Sequence, residues 1–91
     1  MDRKNESVGE YILYLQSKGF KFDQAAIGFI YFGKQYTKAS DFLVKTAIEI
    51  TLKAQKTFDG SFYMNLLESL KESGVQSKKE AYQYVQSKQI L

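Results

Sequence analysis

The feature that most constrains this chain is the way its helices can start and stop. There is no proline among its 91 residues, so only glycines and short polar capping residues can interrupt a helix. Ser7-Val8-Gly9-Glu10 has the spacing of a capping box, with Ser at the N-cap and Glu three residues on. Val8, Tyr11, Ile12 and Leu15 then recur at helical period. Gly19 supplies a residue that takes the left-handed conformation, and Phe20 after it can pack back on Leu15, the pattern of a Schellman ending. These signals predict a helix over 8–18, with residues 1–6 as a disordered N-terminal tail.

The same grammar divides the rest of the chain. Asp23 is an N-cap, and Phe22 before it and Ile27 after it fit a hydrophobic staple. The segment 24–36 is apolar nearly all round and carries Gly28 and Gly33, each costing about 1 kcal/mol in a helix relative to Ala. Its core, 28–32, has strand propensity. The chain holds no second convincing strand to pair with it, so a helix is expected. Ser40-Asp41 opens a third helix through Lys56, its carboxylate at the positive end of the helix dipole. Leu43, Ala47, Ile50 and Ala54 form one stripe, widened by Val44, Ile48 and Leu52. An apolar arc that broad predicts a central helix. Lys45, Glu49 and Lys53 stand four apart on the other side, where they can pair. Asp59-Gly60-Ser61 reads as turn and cap before a helix over 62–73, with Tyr63, Leu66, Leu67 and Leu70 inward and Gly74-Val75 repeating the ending of the first helix. Ser77-Lys78-Lys79-Glu80 repeats the capping box, and Ala81, Tyr84 and Val85 face the core. The expected fold is one all-α domain, a compact bundle of about five short helices.

The first and last of these helices echo one another. Residues 7–20 and 77–90 share Ser, Glu, Tyr, Gln, Ser and Lys in register. Two capped amphipathic helices of similar composition account for this. Equivalent places in a pseudo-symmetric bundle are the alternative, and one pair is too few for a repeat architecture.

Composition narrows the chemistry. The chain has no Cys and no His, which removes disulfides, thiolate nucleophiles and the commonest general base and metal ligands. The start of the sequence lacks the apolar stretch of a signal peptide, and the longest apolar run, 25–32, is far short of a membrane span. A cytoplasmic protein with no membrane contact is expected. Glu68 and Glu72, and Glu6 and Glu10, are spaced for a shared metal but read better as solvated faces. No phosphate loop, dinucleotide fingerprint or calcium loop is present. Neither an enzyme nor a cofactor is expected.

Two binding surfaces stand out. The apolar perimeter of the 24–36 helix exceeds what one side of a small bundle covers. Phe29, Tyr31, Phe32 and Tyr36 are therefore the candidate protein interface, for an unknown partner or for self-association. The alternative is a small DNA-binding regulator using the helix over 77–88, whose Lys78, Lys79, Gln83, Gln86 and Lys88 offer polar contacts. Three features oppose it. The net charge is only +3, and twelve of the thirteen basic residues are Lys. The helix-turn-helix outline has Leu70, Glu80 and Gln83 where that motif asks for a small residue and two apolar ones. Membrane-surface binding is disfavoured because Glu49 interrupts the lysine row of the third helix. Aromatics interleaved with Lys34 and Lys38 resemble a single-strand stacking platform in composition only, without a sheet to carry it. The leading expectation is a non-catalytic protein-binding module.

The capping grammar has a direct test. Ser77→Ala is expected to cost about 0.5–2 kcal/mol, as loss of an N-cap does. Gly74→Val should also destabilise, because a β-branched residue resists the left-handed conformation. Urea melts in which both variants match the parent would refute the assignment of the last two helices.

Overall fold

The computed structural model describes residues 6–91. The expected tail falls mostly on residues 1–5, outside the described residues. Glu6 is held in place, its backbone carbonyl accepting a bond from the Lys45 ammonium at 2.6 Å. Five helices, and no strand among the described residues, make up the fold: α1 (Val8–Ser17), α2 (Gln24–Thr37), α3 (Asp41–Gln55), α4 (Gly60–Glu72) and α5 (Lys78–Ser87). The all-α bundle expected from the sequence is the fold observed, and the 28–32 segment is helical throughout.

Each start lies at the capping residue the sequence offers. Ser7, Asp23, Ser40, Asp59 and Ser77 all sit in extended backbone and accept a bond from the backbone N–H three residues on. Because Asp59 itself is the cap, α4 begins at Gly60, two residues earlier than expected. The first capping box is complete, with the Glu10 carboxylate accepting from the Ser7 N–H at 2.8 Å. The second is altered: Glu80 reaches one residue further back and accepts from the Gln76 N–H at 2.8 Å. At the other ends, Gly19 and Gly74 have positive φ, and Phe20 and Val75 donate back to the Leu15 and Leu70 carbonyls. α5 closes in the same way through Gln89, with Ile90 donating to the Val85 carbonyl at 2.8 Å. The echo between α1 and α5 thus extends to cap, length and ending. Their buried faces differ, Val8, Ile12 and Leu15 against Ala81 and Val85, so the likeness is local and shared composition accounts for it.

α3 is the central helix, as its broad apolar arc predicts. Eight of its residues are buried, among them Thr46 and Thr51 as well as the aliphatic stripe. The Thr51 hydroxyl is satisfied inside the helix by the Ala47 carbonyl at 2.7 Å, which lets a polar residue lie in the core without penalty. α4 and α2 pack against it and against each other, and α1 packs on it as well. Asp41, the first residue of α3, links three helices at one end of the bundle. Its carboxylate pairs with Lys34 of α2 at 3.1 Å and accepts the otherwise unpartnered Val8 N–H at the start of α1 at 3.4 Å.

The tightest packing is between α2 and α4. Tyr63 is fully buried, and its hydroxyl donates to the Ile30 carbonyl at 2.8 Å. Its ring lies under Gly33, where an added Cβ would meet a Tyr63 ring carbon and the Met64 sulfur, each at 2.9 Å. Gly33 is therefore a requirement of helix approach, which explains why an apolar helix tolerates it. Gly33→Ala is expected to lower the urea midpoint. Overpacking costs about 1–3 kcal/mol, against roughly 1 kcal/mol that Ala gains over Gly in a helix. A raised midpoint would mean that the Tyr63 ring is free to shift.

Candidate functional site

α2 buries only part of its circumference. Ala26, Ile30, Gly33 and Thr37 lie toward the bundle, and Ile30 and Gly33 are buried. On the adjoining face stand Phe29, Phe32 and Tyr36, separated by three and four residues and therefore aligned along the helix. They are 45%, 58% and 62% exposed, far above the core aromatic Tyr63 at 0%. Phe32 and Tyr36 stack, with centroids 5.8 Å apart and planes 16° from parallel. The Phe29 ring lies along the start of α4, where a Cβ on Gly60 would come within 2.8 Å of it. Phe29 is thus the anchored edge of the stripe, and Phe32 and Tyr36 its open part. Ala25 and Gly28 complete the face, and the space above Gly28 is empty to 4 Å.

Tyr31 belongs to a different flank. It points toward α1, where its hydroxyl would lie 3.2 Å from a Cβ on Gly9. The structure therefore brings together three of the four aromatics expected at an interface and sets Tyr31 apart. Helical geometry decides this, since residues two apart in a helix point some 200° away from each other.

The α5 residues behave less uniformly than their composition suggests. Lys79, Gln83 and Gln86 are exposed and share the outward face, opposite the buried Ala81 and Val85. Lys78 pairs with Glu49 of α3 at 3.1 Å while its side chain stays exposed. Lys88 stands over the Tyr84 ring at 5.8 Å. The outward face of α5 thus offers Lys79 as its lysine, beside the exposed Glu80.

Glu49 is the polar centre that sequence reasoning did not pick out. It accepts a short hydrogen bond from the Tyr82 hydroxyl and pairs with Lys78, and Lys53 approaches at 3.8 Å. Lys53 also lies over the Tyr82 ring at 4.9 Å. Only the Glu49–Lys53 spacing was legible in the chain; the partners from α5 lie about thirty positions away and give no local signal. Beside this cluster α1, α3 and the start of α5 leave an open cleft of about 610 Å³, lined by Tyr11, Phe42, Lys45, Glu49, Ser77 and Lys78 among others. Burial and the neighbouring Glu49 charge push the Tyr11 phenol well above its ordinary range. Burial and the bond to Glu49 do the same for Tyr82, and burial alone for Tyr63. Of the three, the Tyr63 and Tyr82 hydroxyls act as donors, to the Ile30 carbonyl and the Glu49 carboxylate. Among the described residues no three acidic side chains gather as a metal site, and no helix is long and apolar enough to cross a membrane.

Fold and surface together define a small helical bundle that carries an aromatic stripe on one incompletely covered helix. The chain belongs to DUF6123, a family of unknown function, whose pattern matches residues 2–91. No curated protein and no solved structure matches it.

The raised phenols predict an alkaline limit to stability. A group whose folded pKa lies above its unfolded value of 10.0 contributes fully below that value and loses its contribution as pH rises beyond it. Ultraviolet titration should show Tyr11, Tyr63 and Tyr82 ionising together with loss of helical dichroism. In Tyr82→Phe the late-ionising set should shrink by one. Smooth titration of every tyrosine near pH 10, with the fold intact, would contradict the burial described.

Proposed function

We propose that this chain is a non-catalytic protein-binding module of the cytoplasm, which docks partners on the Phe29–Phe32–Tyr36 face of α2. The observation that carries the proposal is the stacked, majority-exposed Phe32–Tyr36 pair on an ordered helix. Each such ring leaves roughly 100 Å² of apolar surface in water, worth about 2.5 kcal/mol on burial at about 25 cal/mol per Å². A chain that needs aromatics only for its core has no reason to align three of them outward. Pre-stacked rings on a helix also lose little conformational entropy when a partner covers them. One further feature favours binding over catalysis: the polar groups around Glu49 satisfy one another. The cysteine-free sequence suits a reducing compartment.

The test is site-specific photocrosslinking in the native host. A benzophenone side chain placed at Phe32 is expected to give a protein adduct, and the same group at Gln83 none. Phe32→Lys should keep the helical spectrum and remove the adduct formed from a benzophenone at position 36. Lys78→Ala with Lys79→Ala should leave that adduct unchanged, since exposed charges chiefly tune association rate. Adducts from position 83 alone would overturn the proposal. So would duplex-DNA binding that falls steeply with salt and disappears in the double lysine variant.

A further inference from the structure

The first and last helices have the same length and the same kind of cap, but they are attached to the bundle differently. α1 buries Val8, Ile12 and Leu15 and packs closely on α3. Its start is tied down twice more, by Asp41 accepting the Val8 N–H and by Lys45 donating to the Glu6 carbonyl. α5 buries only Ala81 and Val85, both small side chains, and takes no part in the close pairings of the other four helices. Tyr82, Tyr84 and Ile90 add partly buried contacts. What else holds α5 is the clasp at Glu49. The Lys78 side chain in it is 61% exposed, so water and salt screen that ion pair. The part-buried link is the hydrogen bond from the Tyr82 hydroxyl to the Glu49 carboxylate.

We infer that α5 is a strap that opens as one unit while α1 to α4 stay folded, with the Tyr82–Glu49 bond as its latch. The chain is built to part just before α5. Val75 is buried and belongs to the ending of α4, its N–H donating to the Leu70 carbonyl. The cap bonds of α5 are its own: Glu80 N–H to the Ser77 hydroxyl, and Gln76 N–H to the Glu80 carboxylate. Losing them leaves no donor of the other helices without its partner. A ten-residue helix does not hold its shape alone in water, so release and unfolding of α5 are one event. Segments with few buried apolar contacts are the ones that open below the cost of global unfolding. The opening has a defined consequence. Ser77 and Lys78 form one wall of the 610 Å³ cleft, opposite Tyr11 of α1 and Phe42 and Lys45 of α3. Release of α5 removes that wall and frees the Glu49 carboxylate and Lys53, so the state of the strap sets access to the cleft.

Native-state hydrogen exchange, followed residue by residue at low urea concentrations, tests the strap. The amides of 82–88 are expected to share one opening, at least about tenfold more frequent than the one that exposes the slowest amides of α3, and with a weaker urea dependence. Ile30 is fully buried on α2, where its carbonyl takes the Tyr63 hydroxyl, and that contact persists when α5 opens. Ile30→Val should therefore speed exchange of the slowest α3 amides by roughly twofold to tenfold and leave 82–88 unchanged. Tyr82→Phe should speed exchange at 82–88 by roughly twofold to tenfold. Amides 82–88 that exchange at the α3 rate in the parent, or that follow α3 in Ile30→Val, would show that α5 opens only with the whole bundle and end the proposal. A Tyr82→Phe variant with unchanged exchange at 82–88 would remove the latch.

Discussion

The bundle depends on one close approach, the Tyr63 ring lying beneath Gly33 with its hydroxyl on the Ile30 carbonyl. A phenol is an awkward core residue, because its oxygen must find a partner when water is gone. Here the partner is a backbone carbonyl already inside a helix, and the oxygen reaches it only because position 33 has no side chain. The contact fixes how α4 lies on α2, and both then enclose α3, whose Val44, Ala47, Ile48 and Ile50 have no exposed surface. It also fixes the rotation of α2 about its own axis. With Ile30 and Gly33 turned inward, Phe29, Phe32 and Tyr36 have nowhere to go but the rim and the solvent. The interior constraint and the candidate binding surface are two consequences of one helix orientation.

The opposite side of the molecule is organised by charge. α5 buries little more than Ala81 and Val85, a modest apolar area for a helix of its length. Glu49 compensates by accepting from Tyr82 and pairing with Lys78, so that the last helix is held to the central one by a partly buried polar clasp. Within it the half-buried Glu49 carboxylate accepts the Tyr82 hydroxyl, while Lys78 and Lys53 pair with it from the solvent side. Pairing with Glu49 also offsets the charge of Lys78, which lowers the net positive charge that α5 can present to a polyanion.

The two glycines of α2 have different meanings, and only the structure separates them. Gly33 is demanded by Tyr63. Gly28 faces open space, where an added Cβ would meet no neighbour within 4 Å. A glycine in an exposed helix position costs stability relative to Ala. Nothing in the packing of the bundle requires it.

Helix number, the capping residues and the central place of α3 were determined by the sequence alone, and the start of α4 was missed by two residues. Caps, Schellman endings and apolar period are local properties, set by residues within a few positions of one another. The sequence also marked 24–36 as too apolar for ordinary coverage, and the exposed face of α2 lies there. Which face of α2 stays open was decided by tertiary structure. Helical period sets Phe29, Phe32 and Tyr36 on one face and Tyr31 on another, and packing against Tyr63 leaves the first facing solvent and Tyr31 leaning on α1. The Glu49 cluster was likewise invisible, since Tyr82 and Lys78 reach Glu49 only after α5 has folded back across α3. Local geometry is written in neighbouring residues; the meeting of distant side chains depends on how the finished helices pack.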